Sequence, residues 1–189
     1  MWIMNLVWPI TCLYAGPFAA GFYWIWNRAP RSGERDGGSQ AAKPLWRSAL
    51  VGAAHCGAGC TLGDLAGDMA VSSLALRVFG SGLSAKLLLA FVFAYALGIF
   101  FQFFAIAPMR HLGFRAGLVA AIKADTASLI AFEVGMFAWM LISQTWLIPD
   151  VGPDRWIYWF MMQIAMLFGI GTALPVNAWL IRKGVKEAM

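Results

Sequence analysis

Residues 87–107 read LLLAFVFAYALGIFFQFFAIA, a run of twenty-one residues without a charged side chain. A helix needs about 20 mostly apolar residues to cross the hydrocarbon core of a bilayer. In lipid, an isolated apolar segment can satisfy its backbone hydrogen bonds only as a helix. The run therefore predicts a transmembrane helix.

The composition of the whole chain is also typical of a membrane protein. Of its 189 residues, 61% are hydrophobic and 12% are charged, whereas soluble domains are about half apolar and about a quarter charged. A water-soluble fold of this size has too little interior to bury so much apolar surface. Two further apolar segments lie on each side of the central run, which predicts an all-α membrane protein, a bundle of about five transmembrane helices in a single domain (1–189). The predicted spans are 2–26, 46–76, 86–107, 116–148 and 156–181, and residues 27–44 are expected to form a polar cytoplasmic loop.

The basic residues are divided unequally between the two ends of the predicted spans. Eleven of the 14 Lys and Arg residues lie near the loop after the first span, near the loop after the third span, or in the C-terminal tail. The other three are Arg77, Lys86 and Arg155. Because positive charge concentrates on the cytoplasmic side, we expect a multi-pass protein of the bacterial inner membrane with its N-terminus outside and its C-terminus in the cytoplasm. The net charge of +5 is thereby explained by topology rather than by nucleic-acid binding.

The second predicted span contains the stretch HCGAGCTLGDLAGD, residues 55–68. Its glycines Gly59, Gly63 and Gly67 recur every four residues and therefore lie along one side of a helix. Small residues at this spacing allow another helix to approach closely. We expect a helix-packing surface at these glycines.

Polar side chains form a neighbouring stripe on the same helix, about 100° around its axis. The stripe consists of Cys56, Cys60, Asp64 and Asp68. A charged side chain near the bilayer centre costs roughly 2.5–3.5 kcal/mol, so intramembrane acids face the bundle interior and are candidates for a functional site. With a rise of about 1.5 Å per residue, acidic and amide groups of the fourth and fifth spans are expected at depths in the membrane comparable to those of the acids on the second span. The predicted polar or proton path consists of Asp68, Asp125, Glu133 and Gln163.

Thiol, imidazole and thioether groups in the same region indicate a metal site. Soft thiolate and thioether ligands favour Cu(I), and Zn(II) binds where Cys, His and Asp converge. The candidate metal ligands are His55, Cys56, Cys60, Asp64, Met162 and Met166. The alternative is that Cys and Met fill space between helices while the acids accept hydrogen bonds that hold the helices in register. The sequence leaves both interpretations open.

Four segments together resemble a known family. They read HCGAGCTLGD from residue 55, FFQFFAIAPMR from residue 100, AIKADTASLIAFEVGMFAWM from residue 121 and WFMMQIAMLFGIGTALPVNAWLIRKGVKEAM from residue 159. From about Trp46 to the C-terminus, the chain is similar to the bacterial membrane family known as domain of unknown function 4396. The resemblance implies a helical membrane domain without an established activity. Some members of that family are joined to copper-oxidase or heavy-metal-associated domains, which implies a link to copper.

Three functions are consistent with these features. The first is binding or transport of a transition metal, copper or zinc, by the polar centre. The second is a non-catalytic subunit of a homo-oligomer or a larger membrane complex, packed through its glycine surface. The third is a membrane enzyme that uses His55 and Cys56 with a carboxylate; it ranks last because no nucleophile–base pattern is recognisable. The expected partners are the lipid bilayer and other membrane subunits, without nucleic acid.

Overall fold

The computed structural model describes residues 3–27, 44–149 and 151–186. In these ranges the chain is all-helical, as predicted, and two of its five α-helices continue into a short π-helix. The α-helices are α1 (Met4–Phe22), α2 (Leu45–Leu74), α3 (Gly82–Met109), α4 (Phe114–Ile142) and α5 (Trp156–Arg182), and the π-helices are Tyr23–Asn27 and Ser143–Leu147. The predicted polar loop, 27–44, lies almost entirely outside the described residues. Four of the basic residues on which the predicted orientation depends also lie outside them: Arg28, Arg31, Arg35 and Lys43.

Four of the described helical segments are long and apolar enough to cross a bilayer, so the chain is a membrane protein. These segments are Met4–Trp26, Gly82–Pro108, Phe114–Leu147 and Trp156–Arg182. α2 is not among them, because its histidine, glycines and aspartates lower its mean hydropathy. It is nevertheless the central helix: it packs against each of the other four, and residues 51–60 are all buried. Protein rather than lipid therefore surrounds most of its polar groups.

The glycine stripe of α2 lies directly against α3. A β-carbon at Gly59 would lie 2.9 Å from the α3 backbone, and one at Gly67 would lie 2.7 Å from it. Gly63, between them, is pressed against the backbone of Ala94. Because no side chain fits at these positions, the glycines allow the two helix backbones to approach closely. The helix that packs on the stripe belongs to the same chain.

The N-terminal helix brings one polar group to the bundle centre. α1 folds back on itself at Gly16, where φ is 52° and ψ is −134°, a conformation that glycine adopts without strain. The ring of Trp8 packs against those of Phe22 and Tyr23, with centroids 5.9 and 5.4 Å apart, so the predicted first span, 2–26, is a helical hairpin rather than one straight crossing. Two residues before Gly16, the side chain of Tyr14 is buried. A β-carbon at Gly57 of α2 would lie 2.5 Å from the Tyr14 hydroxyl, so that hydroxyl rests on α2 beside its polar stripe.

The chain reverses direction immediately after α5. Gly184 has a φ of 68°, and the backbone nitrogen of Val185 donates a 3.0 Å hydrogen bond to the carbonyl of Leu180. Such a turn, with glycine in the left-handed region, is a common way to end a helix. Here it directs the side chain of Lys186 back into the bundle, where that side chain is 0% exposed.

Candidate functional site

A line of buried polar side chains follows one face of α2. On α2 itself the line consists of Cys56, Cys60, Asp64 and Asp68, each about one helical turn from the next, and all four are buried. Side chains from α3, α4, α5 and the turn after α5 meet this face. We call the whole set the polar seam; it consists of the four α2 residues with Lys86, Asp125, Ser128, Glu133, Tyr158, Asn177 and Lys186.

At one end of the polar seam, Asp68 is held by two partners. The hydroxyl of Tyr158 donates a 2.6 Å hydrogen bond to Asp68 Oδ2, and Lys86 Nζ lies 3.8 Å from Asp68 Oδ1. Lys86 also sits 4.8 Å from the centre of the Tyr158 ring, which adds a cation–π attraction. This end, where α2 ends and α3 and α5 begin, is the Asp68 end.

The middle of the polar seam contains two carboxyl groups and a thiol. Asp64 on α2 interacts electrostatically with Glu133 on α4, and the Cys60 thiol lies beside Glu133. The two acids are 3% and 2% exposed, respectively, and no oxygen of either carboxyl has a hydrogen bond of good geometry to another described residue. Buried polar atoms nearly always have a partner. Among the described buried acids, Asp64 and Glu133 are therefore the two in which neither carboxyl oxygen has such a partner.

A small cavity joins the middle of the polar seam to its Asp68 end. Its volume is about 20 Å³, and both Asp64 and Asp68 line it. Lys86, Tyr158 and three methionines, Met136, Met140 and Met162, complete its wall. Such a volume is sufficient for about one water molecule. The cavity thus has both the size and the polar groups to hold one water molecule that is hydrogen-bonded to both Asp64 and Asp68.

At the other end, the polar seam is closed by an ion pair. Lys186 Nζ lies 2.9 Å from Asp125 Oδ1, and both side chains are 0% exposed. The Cys56 thiol donates a 3.1 Å hydrogen bond to the same carboxyl oxygen and lies 3.0 Å from the Ser128 hydroxyl. Ser128 in turn donates a 2.9 Å hydrogen bond to Asn177 Oδ1. The Lys186 end is therefore a closed hydrogen-bonded network that joins α2, α4, α5 and the C-terminal turn.

From the sequence, Lys186 was expected to be one of the basic residues of the C-terminal tail. In the structure its side chain is instead buried in the bundle. Burial, the largest single effect, lowers the pKa of Lys186, but the charges of Asp125 and Cys56 and the hydrogen bonds to both together outweigh it, so the pKa lies above its ordinary value. A β-carbon at Gly52 would lie 3.1 Å from Asn177 Oδ1 and 3.4 Å from Lys186 Cε, so Gly52 lies against both side chains. The sequence signals for this contact were Gly52, Gly184 and an intramembrane acid that needed a partner.

The predicted metal ligands do not converge on one centre. Among the described residues, no group of three or more His, Cys, Asp and Glu side chains is arranged to hold a metal ion. His55 packs edge-on against Phe101, with ring centroids 6.2 Å apart, whereas Cys56 belongs to the Lys186 end and Cys60 to the middle of the polar seam. The helical spacing placed the two thiols on one face, but side chains from α4 separate their environments.

The remaining predicted site residues come from α5 and have three different surroundings. Met166 is part of the apolar core, and Met162 lines the cavity beside Asp64 and Asp68. Gln163 is exposed, and its amide donates a 3.4 Å hydrogen bond to the carbonyl of Leu13. It therefore lies outside the polar seam and does not join the predicted polar path, because the face of α5 that meets α2 presents Tyr158 and Asn177 instead.

Comparison with known proteins identifies the family. The family described as "Domain of unknown function (DUF4396)" matches residues 45–186. The chain belongs to this family. The match includes α2 to α5 and every residue of the polar seam, whereas α1 precedes it. No curated protein and no solved structure matches the chain.

Proposed function

We propose that this DUF4396 protein conducts protons across the membrane along the polar seam. The observation that carries the proposal is the pair Asp64 and Glu133, two buried acids without well-formed hydrogen bonds, next to a cavity that reaches Asp68. Carboxyl groups take up and release protons, and acids in membrane interiors mark proton relays. The polar seam offers such groups along α2 from the level of Asp68 to that of Cys56, where Asp125 lies.

In this proposal α2 crosses the membrane together with α3, α4 and α5, and the chain lies in a bacterial inner membrane. The three basic residues that lie at the Asp68 end, Arg77, Lys86 and Arg155, are outnumbered by those at the opposite end, which supports an Asp68 end outside and a Lys186 end in the cytoplasm. In this orientation the C-terminus lies inside. Because α1 folds back on itself at Gly16, its first and last residues lie towards the same end of the bundle, which does not support the predicted placement of the N-terminus outside. Protons would enter at Asp68 and leave near Asp125.

The ion pair at the Lys186 end gives the pathway a closed state. A proton that reaches Asp125 neutralises the carboxylate that holds Lys186, so transfer at this end requires the ion pair to open. The Cys56 thiol donates a hydrogen bond to Asp125 and lies 3.0 Å from the Ser128 hydroxyl. It is one helical turn along α2 from Cys60, in the middle of the polar seam. Conduction is therefore expected to be slow and voltage-dependent rather than pore-like.

Proton flux into liposomes tests the proposal. Purified protein is reconstituted with a pH-sensitive dye inside, and a potassium gradient with valinomycin drives proton uptake. We expect uptake above that of protein-free liposomes and a decrease of at least about tenfold in Asp64→Asn, because an amide does not exchange protons as a carboxyl does. The control is Asp154→Asn, since the Asp154 side chain is 76% exposed. Wild-type uptake equal to that of empty liposomes, or full uptake by Asp64→Asn, would contradict the proposal.

Copper or zinc binding stays a prediction from the sequence. The arrangement favours protons over metal, because the described Cys, His and acidic side chains do not form a ligand group. Elemental analysis of purified, copper-replete protein decides the matter. Near-stoichiometric metal that disappears in a double variant, Cys56→Ser with Cys60→Ser, would favour the metal hypothesis over proton conduction.

A role as a packing subunit is supported less well than proton conduction. That hypothesis used the glycine stripe as the surface for another subunit, but Gly59, Gly63 and Gly67 are covered by α3. A partner would therefore have to bind elsewhere on the bundle. Native gels in mild detergent test for such a complex.

A further inference from the structure

A basic groove lies at the Lys186 end of the bundle, and none of the residues that line it belongs to the polar seam. It is formed by the end of α3, the beginning of α4 and the turn after α5, and it has a volume of about 620 Å³. Three basic residues line it, Arg110, Arg115 and Lys123, together with apolar side chains and the backbone of Gly184. It is separate from the residues proposed to conduct protons.

The basic side chains in the groove attract an anion. Arg115 and Lys123 are both exposed, and none of the described residues that line the groove is acidic. Arg115, Val119 and Lys123 are four residues apart, so they follow one face of α4. The positive charge therefore forms a stripe along the groove instead of a single point.

The wall of the groove is apolar. Ile106 of α3 and Val119 of α4 line it between the charged groups. Lys123 lies about two helical turns further along α4 than Arg115, in the direction of the apolar part of the span. A long basic side chain at such a depth extends its charge towards the membrane surface. A ligand that fills this groove needs an anionic head and an apolar tail.

We propose that the groove binds an anionic phospholipid, with its phosphodiester headgroup at Arg115 and Lys123 and an acyl chain along Ile106 and Val119. Basic pockets between membrane helices are suited to phosphate headgroups, and each basic residue near the surface contributes about 1 kcal/mol. This amounts to about a fivefold change in affinity for each charge. The inference concerns a different surface from the polar seam and holds or fails independently of proton conduction.

Lipid titration with native mass spectrometry tests the site. Purified protein in a neutral detergent is titrated with phosphatidylglycerol or with phosphatidylcholine of the same acyl chains, and the dissociation constants are measured. We expect tighter binding of phosphatidylglycerol. The double variant Arg115→Gln with Lys123→Gln should weaken phosphatidylglycerol binding about 30-fold, which is about fivefold for each charge removed, and should bind phosphatidylcholine as the wild type does.

The matched control removes two basic residues from the opposite end of the bundle. Arg77→Gln with Arg155→Gln changes exposed side chains and should leave lipid binding unchanged. Since Arg115 and Lys123 are also exposed, both double variants should fold, which circular dichroism checks. Equal affinity for the two lipids, or unchanged phosphatidylglycerol binding in the groove variant, would overturn the proposal. Displacement of phosphatidylglycerol by millimolar inorganic phosphate would also overturn it, because the groove would then recognise free phosphate.

Discussion

The buried ion pair between Lys186 and Asp125 should determine much of the stability of the Lys186 end. Its atoms Nζ and Oδ1 are 2.9 Å apart, and both side chains are 0% exposed. Lys186→Met leaves the Asp125 carboxylate buried without its cation. Removal of one partner from a buried pair costs about 3–5 kcal/mol, and we expect the free energy of unfolding to fall by that amount.

Removal of both charges should be far less harmful. In the double variant Lys186→Met with Asp125→Asn no unpaired charge remains, and the new amide oxygen can still accept the hydrogen bond from Cys56. Replacement of a complete buried pair by neutral residues is often neutral or stabilising. We therefore expect the double variant to unfold within about 1–2 kcal/mol of the wild type.

The assay is unfolding in detergent, followed by tryptophan fluorescence during titration with sodium dodecyl sulfate at neutral pH. Lys183→Met is the matched control, because Lys183 lies in the same turn but is exposed; its unfolding curve should equal that of the wild type. If Lys186→Met is as stable as this control, or if the double variant is as unstable as Lys186→Met, the assigned ion pair is refuted.

The ion pair also predicts a direction of pH dependence. The pKa of Lys186 is raised in the folded protein above its ordinary value of 10.5. Stability from this group is therefore fully present below pH 10.5 and is lost as the pH rises through the folded pKa. The stability difference between the wild type and Lys186→Met should therefore decrease as the pH rises above 10.5. A decrease centred near neutral pH would assign the effect to another group.

Three further substitutions, one of them a control, test the packing of α2. Gly63→Ala should destabilise the bundle by about 1–3 kcal/mol because its methyl group meets the Ala94 backbone. The control is Gly171→Ala, which has nothing within 4 Å of its β-carbon and should be neutral or stabilise the bundle by up to about 1 kcal/mol. Thermal unfolding in detergent compares them, and equal midpoints would exclude the close contact of α2 with α3. Tyr158→Phe removes the 2.6 Å hydrogen bond to Asp68 and should lower the free energy of unfolding by about 1–3 kcal/mol in the same assay; an unchanged midpoint would mean that this bond does not contribute to stability.

Spacing along the chain was sufficient to predict the helices and the two stripes of α2. Apolar runs such as 87–107 must be helical in lipid, because their backbone groups have no other partners there. Residues four apart share a helix face whatever surrounds the helix, so Cys56, Cys60, Asp64 and Asp68 were placed on one stripe without knowledge of the neighbours. The rise per residue likewise predicted that Glu133 lies at a depth in the membrane similar to that of Asp64.

Spacing along the chain could not predict which face of one helix packs against another helix. Gln163 has a depth comparable to that of Asp64, but it lies on the outer surface of α5, since depth does not specify rotation about the helix axis. The partner of the glycine stripe was likewise undetermined: small residues permit close approach to any helix, and the tertiary structure selected α3 of the same chain.

The amino-acid sequence by itself thus determined that this protein is a helical membrane bundle with buried acids and thiols on a central helix, because helix period and hydropathy are local properties. Only the tertiary structure decided the partners of those groups. Lys186 is 61 residues from Asp125 and 130 from Cys56 along the chain, and it reaches both because the turn at Gly184 reverses the backbone. Contacts of this kind depend on how all the helices pack together, which no local pattern of residues records.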